Sequence, residues 1–172
     1  MHDHAIAFLR AIHILTGSFW VGAAFLNAVY LIPSVIAAGP AGGQVMRVMV
    51  QVRRLPMFMN SVMAITLISG IWLYGWDSAG FGLAWIGSNT GITFTVGALC
   101  ALATAAIGYF VTVPTVTKIG QLGAAMAGAG GPPSPERAAE MVALQRRMLR
   151  AAQIGSALVV VATIAMAVAR FL

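Results

Sequence analysis

Four long apolar stretches, separated by connections that hold nearly all the charge, constrain this chain more than any other feature. They cover residues 5–32, 56–76, 91–113 and 151–172. Each is long enough to cross ~30 Å of hydrocarbon as a helix, which takes ~20 residues. No barrel-type alternation runs through them, and an open strand edge has no partner in lipid, so helices are the viable solution. The expected fold class is all-α: an integral membrane four-helix bundle forming one domain over residues 1–172. Composition agrees. The chain is 60% hydrophobic and 8% charged, against ~45–50% and ~25% in a soluble domain.

The cationic residues set an orientation. Arg47, Arg53 and Arg54 lie in the first connection (33–55), and Lys118, Arg137, Arg146, Arg147 and Arg150 lie in the third (114–150). The second, "DSAGFGLAWIGSN", has neither Lys nor Arg and carries Asp77. The positive-inside rule places the first and third connections in the cytoplasm. Both termini and the second connection then face the periplasm of a bacterial inner membrane. Trp72, Trp76 and Trp85 gather near that outer face, as in an aromatic belt. The net charge of +6 is thus a topology signal, with the lipid bilayer rather than nucleic acid as partner. The first apolar run has no basic leader, so it is expected to be a permanent span. The single cysteine, Cys100, sits within an apolar run and is expected to pack there.

"GPAGG" (39–43) breaks the chain after the first span, and "GQVMRVMVQVRRLP" then reads as an amphipathic cytoplasmic helix that ends or bends at Pro56. "GAGGPPSPERAAE" (128–140) reads as a flexible stretch and a helix start. Ser134 is the N-cap, Pro135 the first helical residue and Glu136 lies in the first turn. No breaker follows, so the fourth helix is expected to extend beyond its span, bearing Arg146, Arg147 and Arg150. Gly97, Ala101, Ala105 and Gly108 form a small-residue row that serves either bundle packing or a dimer seam. No internal repeat is evident.

Steps of three and four along the first span link Arg10, His13, Gly17, Trp20, Ala24, Asn27 and Leu31 on one face. Burying His13 and Asn27 against lipid is costly, so this face should point into the bundle. His13 lies roughly 12 Å inside the span at 1.5 Å per residue. An ionisable residue at that depth is a functional candidate. Neutral imidazole is a common ligand of haem and transition metals. Gly17 would leave room for a flat macrocycle, Arg10 would meet a propionate near the water boundary, and Trp20 would line the pocket. Two alternatives stay open: His13 hydrogen-bonded to a facing Thr93, Thr95, Thr163 or a carbonyl, or His13 handling protons. No other histidine lies in a span, so the second axial position falls to Met166, near the level of His13 on the fourth helix, or to His13 of a second protomer, or stays empty in a five-coordinate haem. His2 and His4, flanking Asp3, form a short head able to hold Cu(II), Ni(II) or Zn(II). Charged residues are absent from mid-span, which argues against an ion pump. No nucleophile–base pair, phosphate loop or zinc-site spacing supports hydrolase chemistry.

The stretch "LRAIHILTGSFWVGAAFLNAVYLIPSV" resembles the first span of small bacterial membrane proteins: the CopD-like copper-resistance proteins, the HemJ-type protoporphyrinogen oxidases and the membrane part of the PuuD-like urate oxidases. The resemblance lies in the H-I-L histidine and the following W-x-G, here His13, Trp20 and Gly22. "VRRLPMFMNSVMAITLISGIWLYG" is similar to the second span of relatives in that group. The resemblance implies a helical bundle with b-type haem, and redox chemistry or metal handling. HemJ-type proteins use a lysine on the third span. Here the nearest is Lys118, far from the level of His13, so protoporphyrinogen oxidation is not expected. The expectation is a haem-b-binding membrane protein, a homodimer, with an electron-transfer or oxidoreductase role and a redox partner near the outer face. The alternatives are copper handling of the CopD type, or an accessory subunit whose function is helix packing.

Overall fold

The computed structural model describes residues 2–129 and 131–172, with side chains from residue 4 onward. Among the described residues every regular element is helical. Helix α1 (His2–Leu26) passes through a π-helical segment, Asn27–Leu31, into α2 (Ile32–Ala37). Helix α3 (Pro40–Arg47) leads through a second π segment, Val48–Val52, towards α4 (Leu55–Asp77). The short α5 (Leu83–Ile86) precedes α6 (Asn89–Ile107), which passes through a third π segment, Gly108–Thr112, into α7 (Val113–Gly128). Helix α8 (Pro135–Val168) ends in a 3₁₀ turn, Ala169–Phe171. Four continuous helices are long and apolar enough to cross a membrane: His4–Ala37, Leu55–Asp77, Asn89–Gly128 and Pro135–Phe171.

The third helix runs to Gly128, well past the boundary expected at residue 113. The cause lies at Pro114. Proline lacks an N–H, and its ring clashes with the carbonyl one turn earlier. The π segment widens the turn ahead of it, with the Val113 N–H reaching the Gly108 carbonyl, and the helix continues. The same arrangement carries α1 past Pro33, where the Ile32 N–H reaches the Asn27 carbonyl. Each half of the chain therefore uses one device that the sequence alone did not suggest as a repeat. The real break of the first connection is Gly39, at φ +56° and ψ −127°, a conformation open to glycine. The fourth helix starts as expected, with the Ser134 hydroxyl accepting from the Arg137 N–H.

Helix α1 packs chiefly on α4, and α6 chiefly on α8. The two hairpins meet around Trp20, Val62, Ala101, Val159 and Ala162, so all four long helices contribute to one buried cluster. Many of the buried positions are small. Ala101, Ala151, Ala162 and Ala165 are buried, and a Cβ on Gly97 would come within 3.2 Å of the Ala162 carbonyl and Met166 Cγ. Helices held together in lipid depend on such close approach, because tails outside are as apolar as the core. The small-residue row is thus the α6–α8 seam over Gly97 and Ala101, while a Cβ on Gly108 meets nothing within 4 Å. Large apolar side chains point outward instead: Leu15 is 72% and Trp72 66% exposed. A surface this apolar, on four helices long and apolar enough to cross a membrane, is consistent with a membrane protein.

Candidate functional site

The expected inward face of α1 is largely the observed one. Trp20 is buried, and His13, Gly17, Ala24, Asn27 and Leu31 are half-buried, while Arg10 is exposed. The opposite residues, Ile14, Leu15 and Phe19, are exposed. The face meets α4, whose buried positions Val62, Thr66, Ser69 and Leu73 recur at helical spacing.

His13 is held at this seam. Its Nδ1 lies 2.9 Å from the Thr66 carbonyl oxygen and 3.2 Å from Ser69 Oγ. A carbonyl oxygen only accepts, so Nδ1 carries the proton, and the lone pair of the neutral ring is on Nε2. This tautomer is assigned from the bonding partners. The Ser69 hydroxyl donates to the Ile65 carbonyl at 2.6 Å and keeps a lone pair for His13. One turn deeper, the Thr66 and Thr16 hydroxyls are 2.8 Å apart, and that of Thr16 donates to the Ile12 carbonyl. Gly70 completes the arrangement: a Cβ there would fall 2.8 Å from His13 Cε1. The imidazole edge therefore lies against bare backbone.

Thr66, Ser69 and Gly70 are the partners that the first helix alone could not reveal. Thr66 and Ser69 are polar residues within the second span, and the facing register of α1 and α4 is what brings both to His13. The other candidates bond elsewhere. Thr93 donates to the Asn89 carbonyl, Thr163 to the Val159 carbonyl, and Thr95 pairs with the Tyr74 hydroxyl at 2.6 Å.

The remaining site candidates are spread over separate contacts. Arg10 Nη2 pairs with Asp77 Oδ1 at 2.7 Å, joining the start of α1 to the end of α4. The gap above Gly17 is taken up by α4, since a Cβ there would sit 3.5 Å from the Thr66 methyl. Trp20 is packed in the central cluster. Met166 is half-buried and lies against Gly97 on the α6–α8 seam, whereas the contacts of His13 are on α4. His4 is exposed in the first turn of α1, and the side chains of His2 and Asp3 lie outside the described residues. Among the described residues no three His, Cys, Asp or Glu side chains gather as a metal centre.

The arrangement offers one chemically distinctive group: an imidazole fixed through Nδ1, with its basic nitrogen uncommitted. Metal-binding histidines are commonly oriented in this way, the second nitrogen donating to a carbonyl or carboxylate. No family model, curated protein or solved structure matches this chain.

Proposed function

We propose that this is an inner-membrane haem-b protein in which His13 is an axial ligand through Nε2. The supporting observation is the bond from His13 Nδ1 to the Thr66 carbonyl, which leaves Nε2 as the ring's free donor. The donor chemistry fits haem iron. The interior of one chain is less accommodating, because Gly17 and Trp20 are engaged by α4 and the central cluster. The macrocycle's far wall must then come from outside the chain, so the proposal includes a homodimer. Bound haem would supply one-electron chemistry, and the role would be electron transfer or oxidoreduction with a redox partner. This chain's residues would hold the ligand ring in one orientation and keep water from it. The Lys and Arg asymmetry of the connections supports periplasmic termini, with the His13 end of the bundle near the periplasmic face. The likeness of residues 9–35 to the CopD, HemJ and PuuD group supports the same reading.

The test is the absorption spectrum of detergent-purified protein, oxidised and dithionite-reduced, after expression with ample haem. A Soret band and a sharp reduced band, both lost in His13→Ala, are expected. A colourless wild-type protein would overturn the proposal.

A second reading is favoured by the close seat of the ring on Gly70 and the Thr66 carbonyl. Here His13 is a helix–helix clamp, and the protein is an accessory subunit. It predicts a colourless protein that loses stability, and nothing else, in His13→Ala. Copper handling through His2 and His4 predicts copper binding that survives His13→Ala and is lost on removing the first four residues.

A further inference from the structure

The opposite end of the bundle from Arg10 and Asp77 carries a groove of about 500 Å³ between the third and fourth long helices. Its cationic side is Arg146, Arg147 and Arg150, and its apolar side includes Ile107, Val111 and Ile154. The groove has a structural cause. On one flank the helices are clamped together, with the Thr104 hydroxyl 3.3 Å from the Gly155 carbonyl and Gly155 closed against the Thr104 methyl. Immediately beyond, the π segment Gly108–Thr112 interrupts the regular turn of the third helix, and the groove opens beside it.

The charge there is uncompensated. Among the described residues the one ion pair is Arg10–Asp77. Helix α7, which packs on α8, carries Lys118 and no acidic residue. On α8 itself the acidic residues are Glu136 and Glu140, at least six positions before Arg146. The three arginines span little more than one helical turn, and Ala151 and Ile154 follow directly on the membrane side. A ligand seated here must be anionic at one end and apolar at the other.

We propose that this groove binds an anionic phospholipid, its phosphate against Arg146, Arg147 and Arg150 and an acyl chain along Ile107, Val111 and Ile154. Guanidinium groups match phosphate oxygens in bidentate fashion. Basic recesses between membrane helices at their water boundary suit anionic headgroups. Free phosphate has no use for the apolar wall, and a general cationic surface has no need of the groove. The second arginine pair, Arg53 and Arg54, lies outside the groove and supplies the control.

The experiment is native mass spectrometry of the full chain released from mixed micelles, with titrated phosphatidylglycerol or phosphatidylcholine. Wild-type protein should retain phosphatidylglycerol at least about tenfold better than phosphatidylcholine, given about a fivefold gain per arginine near an anionic surface. The triple variant Arg146→Gln, Arg147→Gln, Arg150→Gln should lose that preference. Ile154→Trp, which fills the apolar side without changing charge, should lose it too. The double variant Arg53→Gln, Arg54→Gln should keep it, and millimolar inorganic phosphate should not displace the lipid. Equal retention of both lipids would overturn the proposal. So would a preference unchanged in the triple variant, or one reduced equally by the Arg53 and Arg54 changes, which would indicate general surface charge. Displacement by inorganic phosphate would likewise overturn it, by making the ligand a free anion.

Discussion

The Nδ1–H of His13 donates across the α1–α4 seam to the backbone carbonyl of Thr66, 2.9 Å away. The ring is seated so closely that Gly70 has no room for a side chain beside Cε1. Gly70→Ala should therefore displace the imidazole or part the helices. The expected loss is about 1–3 kcal/mol, the usual range for overpacking, read as a lower midpoint of thermal unfolding in detergent. Ser69→Ala removes the longer contact to His13 together with the hydroxyl's bonds to its own helix, at the Ile65 and Thr66 carbonyls, and should cost under about 1 kcal/mol. Equal stability of Gly70→Ala and wild type would show that the ring is not held against Gly70.

Arg10 and Asp77 tie the ends of α1 and α4 at 2.7 Å, but their side chains are 53% and 30% exposed. Exposed pairs of this kind are screened and entropically costly to hold. A double-mutant cycle with Arg10→Gln and Asp77→Asn should give a coupling of roughly 0.2–1 kcal/mol, decreasing with added salt. If Arg10 instead bonds a haem propionate, Arg10→Gln should shift the haem spectrum or potential while Asp77→Asn does not.

On the other hairpin, Gly97 abuts the Ala162 carbonyl and Met166. Gly97→Leu should force α6 from α8 and destabilise by about 3 kcal/mol or more, at the upper end of overpacking costs. Gly108→Leu is the matched control. A Cβ at that position meets nothing within 4 Å, so thermal unfolding should barely change. Similar losses at both positions would count against the seam.

Gly39 turns the chain between α2 and α3 at φ +56° and ψ −127°, with open space around a Cβ. Gly39→Ala meets no steric neighbour, so its cost is conformational, on the order of 1–3 kcal/mol. Unfolding midpoints should fall for Gly39→Ala and stay level or rise for Gly43→Ala, where a Cβ likewise has space. Glycine 43 lies inside α3, where alanine suits the helix better.

Hydropathy sufficed to locate four long helices, because hydrocarbon thickness and backbone hydrogen bonding leave few choices. Helical spacing sufficed for the inward face of α1, from His13 through Trp20 to Asn27. The helix beyond Pro114 was not legible, since proline ordinarily stops a helix and the π segment that accommodates it has no strong residue signature. The seat of His13 was only half legible. Thr66 and Ser69 could be seen as polar residues in a span, but periodicity within one helix says nothing about axial register against another. Gly70 looked like any small residue in lipid until its distance to the imidazole was known.

The most direct test of the account is chemical rescue of His13→Gly. Removing the ring while keeping the helix should abolish the haem spectrum, and millimolar imidazole should restore it by filling the vacated position. 1-Methylimidazole cannot donate to the Thr66 carbonyl, so it should restore less. That ordering would tie ligation to Nε2 and orientation to Nδ1. A His13→Gly protein with the wild-type spectrum, or rescue that is equal for both compounds, would contradict a ligand held through the Thr66 bond.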